Sequence, residues 1–211
     1  MIDEKWTLAN ERADEAGILL AQSLLNSTAG HRPVSLVGFS FGARMIIACL
    51  KELARNQEIW ESQRERNEVD GTTETTAKAK VTSFRKNLSK SMKQYEAHVS
   101  FNREPASIIE DVIMMGTVAS VNKSAWQSCR GIVAGRLVNC YSTNDMILAL
   151  MYSSKNLGST LLNPPVGIRS VHVPGVENYD ISHLVASHSE YSIAVHEILQ
   201  IVGYNQPVNI R

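Results

Sequence analysis

Apolar residues recur at steps of three and four through residues 3–25, and this spacing predicts an amphipathic helix. A short run rich in β-branched residues, VSLV at residues 34–37, follows between a proline and a glycine and is typical of a buried parallel strand. A turn over residues 38–42 leads to an apolar-faced helix predicted over residues 43–50. The chain thus begins with a helix, a strand and a second helix.

The same alternation resumes after residue 107. Strands are predicted over residues 108–116, 136–141 and 168–173, with a short apolar helix over residues 146–152. The final helix is predicted over residues 189–202, with an apolar face that buries Ile193, Val195, Ile198, Leu199 and Val202. Strands that alternate with helices indicate an α/β domain with a mainly parallel sheet and right-handed crossovers.

The segment between these two parts has a different composition. Residues 51–104 carry 20 of the chain's 42 charged residues, and apolar positions are sparse at their centre. We therefore predict one domain over residues 1–211 with a charged, disordered insertion at residues 56–100. Within this insertion, residues 61–80 are expected to be solvated and residues 81–95 to form a short basic helix.

Composition narrows the class of partner. Twenty-one Lys and Arg residues balance twenty-one Asp and Glu residues, so no global positive field exists to hold nucleic acid. Cys49, Cys129 and Cys140 are widely spaced, which argues against a disulfide framework and a zinc site and favours a reducing, intracellular compartment. No apolar run approaches the roughly 18 residues of a membrane span. No metal or cofactor is expected.

The turn between the first strand and the second helix contains G-x-S-x-G, at Gly38-Phe39-Ser40-Phe41-Gly42. In a nucleophile elbow the serine lies on a strained turn between a strand and a helix, and the glycines on either side permit strand and helix to approach closely. The flanking segments VSLV and ARMIIACL supply that strand and that helix. Ser40 is therefore a candidate nucleophile; the alternative is a tight turn in which Ser40 has no chemical role.

A serine nucleophile requires a histidine base and a carboxylate, which follow it along the chain in the order Asp or Glu, then His. Asp145 follows the third predicted strand, at the strand end where parallel sheets build their sites. The alternative is that Asp145 only caps the helix after it. His188, at the start of the last helix, is favoured over His183 as the base. His172 is expected to be a buried core histidine and His196 to be exposed.

Three segments, GFSFGAR, GRLVNCYSTNDMILALMY and VENYDISHLVASHSEY, together resemble a branch of the α/β-hydrolase superfamily. This branch is the transmembrane and coiled-coil domain-containing protein family, a domain of unknown function, and the resemblance covers residues 6–204 apart from the charged insertion. It implies an α/β-hydrolase fold, present here as its carboxyl-terminal half, with Ser40 at the elbow and Asp145 at the acid position. His188 falls where members have a Gly-His pair followed by Tyr, here Ser187-His188 and Tyr191.

The resemblance also implies features that differ in this chain. Members carry an N-terminal half with membrane-spanning helices and the first strands of the sheet, whereas this chain begins at the helix before the nucleophile strand. Gly116-Thr117-Val118 stands where members have Gly-Ala-Pro. The oxyanion hole of this fold takes one backbone N–H from the residue after the nucleophile, here Phe41, and another from a loop near the third strand. That second donor is expected to be absent, and the loss of one donor costs about 10²–10³ in turnover.

Two functions are compatible with these observations. The first is a serine hydrolase that acts on an ester or lipid ester through Ser40, His188 and Asp145, with membrane association through the N-terminal segments that family members carry. The second is a non-catalytic, hydrolase-like module that binds a protein partner through residues 56–100. The complete order of serine, aspartate and histidine favours the first.

Overall fold

The computed structural model describes residues 2–26, 32–70, 103–120, 122–155 and 164–204. In these residues five helices alternate with four strands. In chain order the elements are α1 (Ile2–Leu25), β1 (Val34–Phe39), α2 (Phe41–Asp70), β2 (Ile109–Met115), α3 (Lys123–Ile132), β3 (Leu137–Tyr141), α4 (Met146–Lys155), β4 (Val176–Asp180) and α5 (Tyr191–Val202). Short 3₁₀ turns occur at Pro105–Ser107, Val166–Ile168 and His188–Glu190.

The four strands form one parallel sheet in chain order, β1-β2-β3-β4. Gly38, Met114, Asn139 and Asn178 occupy one row across the sheet, so the carboxyl ends of the strands meet at a single edge. Parallel neighbours require crossover connections, and α2, α3 and α4 lie in these connections. The predicted α/β fold with a parallel sheet and flanking helices is confirmed.

Apolar side chains cover both faces of the sheet at β2, which explains why residues 112–115 are continuously hydrophobic. Val112 and Met114 pack into a core cluster that includes residues of α1, α2 and α3. Ile113 and Met115 point to the opposite face and pack into a second cluster with residues of α5. Successive side chains of a strand alternate between faces, so one strand serves both clusters.

Helices α1 and α2 cross at close range because small residues lie at the crossing. A Cβ at Gly17 would lie 2.4 Å from the Met45 carbonyl oxygen and 2.6 Å from Ala48 Cβ. Leu8 and Leu19, which belong to the predicted apolar face of α1, are exposed. The helix therefore buries a narrower face than its hydrophobic periodicity predicts.

Helix α2 is longer than the predicted 43–50 segment and ends at Asp70. Leu53, Ala54 and Ile59 are buried and continue its apolar face into the charged segment. Residues 56–70 are therefore helical rather than disordered. The remainder of the predicted insertion, including the basic helix at residues 81–95, lies outside the described residues, and its disorder and its binding of a partner stay predictions.

The fourth strand was predicted in the wrong place. Residues 168–173 form no strand; β4 is the next segment, Val176–Asp180. Val171 is buried in the first core cluster, but its backbone polar groups bond to a side chain, because Asn178 Oδ1 accepts from Val171 N–H and Asn178 Nδ2 donates to Val171 O. Gly175, at φ +81°, then turns the chain into β4. His172 is consequently exposed and is not a core histidine.

The predicted apolar face of the last helix is confirmed at four of its five positions. Ile193, expected to be buried, is 85% exposed. Ile198 and Val202 are buried as predicted, and Val195 and Leu199 are partly buried against the second core cluster. Tyr191 and Ala194 of the same helix are also buried. The expectation that His196 is exposed is confirmed.

Helix α3 was not predicted, although the sequence contains its signals. Asn122 is the N-cap, and its side-chain oxygen accepts from Ala125 N–H. Trp126, Cys129 and Ile132 follow at three-residue steps and are buried. The pattern is short, and a ten-residue helix with three apolar positions is easily missed beside stronger periodicities.

We predict that Gly17→Ala destabilises the domain by about 1–3 kcal/mol, since the added methyl group must push α1 away from α2. Gly131→Ala is the matched control, because a Cβ at this position in α3 would meet nothing within 4 Å. There the substitution should stabilise the protein by about 0.5–1 kcal/mol. Urea unfolding followed by circular dichroism measures both, and equal effects at the two positions would contradict the close crossing.

Candidate active site

The candidate residues lie at the carboxyl edge of the sheet. Ser40 stands between β1 and α2, Asp145 lies between β3 and α4, and His188 begins the 3₁₀ turn before α5. Ligand sites of open parallel sheets lie at this edge, where the connections after each strand converge. The fold therefore brings Ser40 and His188 together although they are 148 residues apart in the chain.

The backbone at Ser40 is strained. Its φ is 55°, and among the described non-glycine residues it alone has a positive φ. Ser40 N–H donates to Met115 O of β2 at 2.9 Å, and Ser40 O accepts from Arg44 N–H of α2 at 3.1 Å. Such a conformation costs roughly 1–3 kcal/mol and persists only where its surroundings hold it. Here β2 and the first turn of α2 hold it.

The two glycines of the motif have different environments. A Cβ at Gly38 would lie 2.9 Å from the Gly42 carbonyl carbon and 3.0 Å from Ala43 N, so the strand and the helix leave no room for a side chain. A Cβ at Gly42 would meet nothing within 4 Å. The steric argument drawn from the motif therefore applies to Gly38 alone.

Ser40, His188 and Asp145 form a continuous hydrogen-bonded chain. His188 Nε2 lies 2.7 Å from Ser40 Oγ, and His188 Nδ1 lies 2.6 Å from Asp145 Oδ2. A carboxylate oxygen only accepts, so in the neutral imidazole Nδ1 carries the proton and Nε2 accepts from the serine hydroxyl. In this tautomer the imidazole is oriented to take a proton from Ser40.

Asp145 makes two separate interactions through its two carboxylate oxygens. Oδ2 accepts from His188, whereas Oδ1 accepts from the backbone N–H of Leu148 at 2.9 Å and so caps α4. The sequence left two interpretations of Asp145 open, a helix cap and a partner of histidine. Asp145 makes both contacts. Asp145 is fully buried while the His188 side chain is 21% exposed, so the chain runs from the protein interior to the surface.

Tyr191 packs against the imidazole from the side. The centroids of the Tyr191 and His188 rings are 5.7 Å apart in an edge-on arrangement. A Cβ at Gly116 would lie 2.7 Å from the Tyr191 ring, and Gly116 itself has a φ of +52°, so only glycine fits at the end of β2. Burial, with a smaller contribution from Asp145, raises the pKa of Tyr191 above its ordinary range. The Tyr191 ring restricts the orientation of the His188 imidazole. The spacing of residues in the sequence does not predict this contact.

The other candidate residues lie apart from this chain of hydrogen bonds. His183 is exposed in the turn after β4. Among the described residues, Ser40 Oγ bonds to His188 and not to His183. Phe41 packs edge-on against Trp6 of α1, with ring centroids 4.9 Å apart. Phe39 is partly exposed on β1.

These features define an α/β protein in which serine, histidine and aspartate side chains are hydrogen-bonded to one another at the carboxyl edge of a parallel sheet. The chain belongs to the family described as "Protein of unknown function (DUF726)", whose members' shared region matches residues 1–61 and 98–205. The internal unmatched residues, 62–97, fall within the predicted insertion. The family membership that the sequence resemblance implied is thereby confirmed.

The curated relatives of this chain are much longer than the chain itself. The "Transmembrane and coiled-coil domain-containing protein STS1" of Oryza sativa is 35% identical over 97% of this chain and 23% of its own length. An "Uncharacterized membrane protein C6F6.13c" of Schizosaccharomyces pombe is 29% identical over 97% of this chain and 20% of its length. "Probable lipase MIL1" of Saccharomyces cerevisiae is 27% identical over 96% of this chain and 14% of its length.

The chain thus spans less than a quarter of the length of these relatives. No solved structure shows a significant match. Relatives bear names of membrane proteins, whereas no helix in the described part of this chain is both long and apolar enough to cross a membrane.

We predict that Gly38→Ala lowers the free energy of unfolding by about 1–3 kcal/mol, because the added Cβ collides with the backbone of α2. Gly42→Ala should leave stability unchanged or raise it by up to about 1 kcal/mol, since alanine favours the helix more than glycine. Denaturant titrations of the two variants test this difference. If Gly42→Ala were as damaging as Gly38→Ala, the described packing at the start of α2 would be incorrect.

Proposed function

We propose that this domain is a serine hydrolase of the α/β-hydrolase type that cleaves an ester. Ser40 is the nucleophile, His188 the general base and Asp145 the carboxylate that orients the imidazole. The observation that carries the proposal is the unbroken chain of hydrogen bonds from Asp145 through His188 to Ser40, with the serine on a strained turn between strand and helix. The same residue types in this arrangement activate serine on several unrelated folds.

In the proposed reaction Ser40 Oγ attacks the ester carbonyl carbon while His188 Nε2 takes its proton. The carbon–oxygen bond to the leaving alcohol then breaks, and His188 returns the proton to that alcohol. Water, deprotonated by the same imidazole, attacks the acyl-serine. The bond between the acyl carbon and Ser40 Oγ then breaks, the imidazolium returns its proton to Ser40 Oγ, and the carboxylic acid is released. Asp145 stabilises the imidazolium in both steps through its hydrogen bond to Nδ1.

The oxyanion of each tetrahedral intermediate requires hydrogen-bond donors. Phe41 begins α2, and the first backbone N–H groups of a helix have no acceptor within the helix. The Phe41 N–H adjoins Ser40 and lies at the positive end of the helix dipole. We assign this N–H to the oxyanion.

A lipid ester is the proposed substrate class. Met146, Ile147 and Leu150 of α4 are between 52% and 71% exposed and follow directly after Asp145, so apolar surface adjoins the site. Helix α4 also contacts the 3₁₀ turn that carries His188. One relative is named a probable lipase and others are named membrane proteins, which fits an apolar substrate.

We predict that a fluorophosphonate labels this protein on Ser40, because the reagent phosphonylates an activated serine and releases fluoride. Mass spectrometry of the digested protein locates the label. Ser40→Ala should lose the label entirely while keeping its urea midpoint, which separates loss of the nucleophile from loss of the fold. A folded wild-type protein without label would instead favour the non-catalytic interaction module.

The two candidate bases give a second prediction. His188→Gln should slow the labelling of Ser40 by about 10²–10⁴-fold, the usual contribution of a general base. His183→Gln is the matched control and should label at the wild-type rate. The rates are measured by quenched time courses at fixed reagent concentration. Slower labelling in His183→Gln alone would contradict the proposal and would identify His183 as the base.

A further inference from the structure

A polar cavity lies one helical turn from Ser40. It has a volume of about 280 Å³ and opens between α1, α2, the loop after β2 and α4. Its wall includes Trp6, Asn10, Arg44, Lys51, Ser120 and Tyr152. Trp6 also contacts Phe41, the residue after Ser40, so the cavity begins beside the proposed site of reaction.

Among the described residues, the wall of this cavity carries two cationic side chains, Arg44 and Lys51, and no carboxylate. Arg44 is fixed from outside the cavity: its Nε and Nη2 donate to the two carboxylate oxygens of Asp14 at 2.9 and 2.6 Å, and its Nη1 donates to Val118 O at 3.1 Å. These bonds use three of the five guanidinium N–H groups. Arg44 is thus held in place and retains donors, and a rigid guanidinium is well suited to a phosphate group.

Asn10 contributes an acceptor to the same wall. Its Oδ1 is buried and has no hydrogen-bond partner in the described residues. A buried acceptor without a partner costs about 1–3 kcal/mol, so a ligand that donates a hydrogen bond there gains affinity. A hydroxyl group is such a donor. The cavity therefore offers donors for an anion and an acceptor for a hydroxyl.

A neighbouring cavity has a different charge. It shares Arg44 and Lys51 and adds Arg55, but it is also lined by the carboxylates of Asp14 and Glu52. The excess of positive charge among the described lining residues is therefore larger in the first cavity, which favours an anionic ligand there.

We propose that the cavity binds the phosphate and a headgroup hydroxyl of the ester that Ser40 attacks, so that the substrate is a phospholipid with a hydroxylated headgroup and not a neutral glyceride. This proposal rests on the proposed hydrolase function. Arg44 follows Ser40 by one turn, about 6 Å along the helix axis. In a glycerophospholipid only a few bonds separate the ester carbonyl from the phosphate, so one molecule can reach both sites.

The test measures binding without turnover. Isothermal titration calorimetry is performed on Ser40→Ala protein with three probes: monomeric dihexanoyl phosphatidylglycerol, dihexanoylglycerol and inorganic phosphate. The comparison separates the affinity for the lipid headgroup from the affinity for a diglyceride and for a free anion. We expect the phosphatidylglycerol to bind at least about tenfold more tightly than either of the others, as a charge-assisted contact and an added hydroxyl contact predict. Equal affinity for the two lipids, or no binding of any probe, overturns the proposal. If inorganic phosphate binds as tightly as the phosphatidylglycerol, the cavity is a site for a free anion, and the proposed recognition of a lipid headgroup is overturned.

Lys51→Gln in the Ser40→Ala background should weaken phosphatidylglycerol binding by about tenfold and leave dihexanoylglycerol unaffected. Lys123→Gln, at an exposed lysine of α3 outside the cavity, is the matched control and should change neither. Loss of affinity for both lipids in Lys51→Gln would contradict a phosphate contact.

The fluorophosphonate experiment keeps the two proposals distinguishable. Labelling of Ser40 without a preference for phosphatidylglycerol would leave the hydrolase standing and overturn the cavity's role. A preference for phosphatidylglycerol without labelling of Ser40 would overturn the hydrolase and retain a phospholipid-binding site.

Discussion

Parallel pairing of four strands in one register is the constraint on which the rest of this structure depends. Because Gly38, Met114, Asn139 and Asn178 share a row, the connections that follow β1, β3 and β4 emerge at one edge of the sheet. The strained serine turn, the capped start of α4 and the turn before α5 are therefore neighbours. Each of these turns is local in sequence, but their meeting is a property of the sheet.

A buried carboxylate and a strained backbone both raise the free energy of the folded state unless specific contacts offset them. Asp145 is fully buried, and its two oxygens accept from Leu148 N–H and His188 Nδ1. Ser40 is held by β2 and α2. The same contacts that make these costly groups tolerable also orient them, so stability and the proposed chemistry depend on one set of hydrogen bonds.

Helix α2 connects the proposed site of reaction to the polar cavity. Its first residue, Phe41, supplies the N–H assigned to the oxyanion, and Arg44 and Lys51 follow on the face toward α1 and the loop after β2. Asp14 holds Arg44 across the close contact of α1 and α2 that Gly17 permits. A substrate bound along this helix would be positioned by groups on one rigid element, which favours precise alignment of its ester with Ser40.

The sequence by itself determined the alternation of strands and helices, the parallel α/β class, the strand–turn–helix around Ser40 and the order of Ser40, Asp145 and His188, because period, turn chemistry and chain order are local properties. The tertiary structure decided the rest. Residues 168–173 are apolar like a strand, yet the Asn178 side chain bonds to Val171 and β4 is the next segment. Ile193 is exposed although it is apolar and lies in the same helix as the buried Tyr191. The pairing of Arg44 with Asp14 and the preference of Ser40 Oγ for His188 over His183 join residues distant in sequence. No local pattern encodes such distances, since they depend on how the helices pack on the sheet.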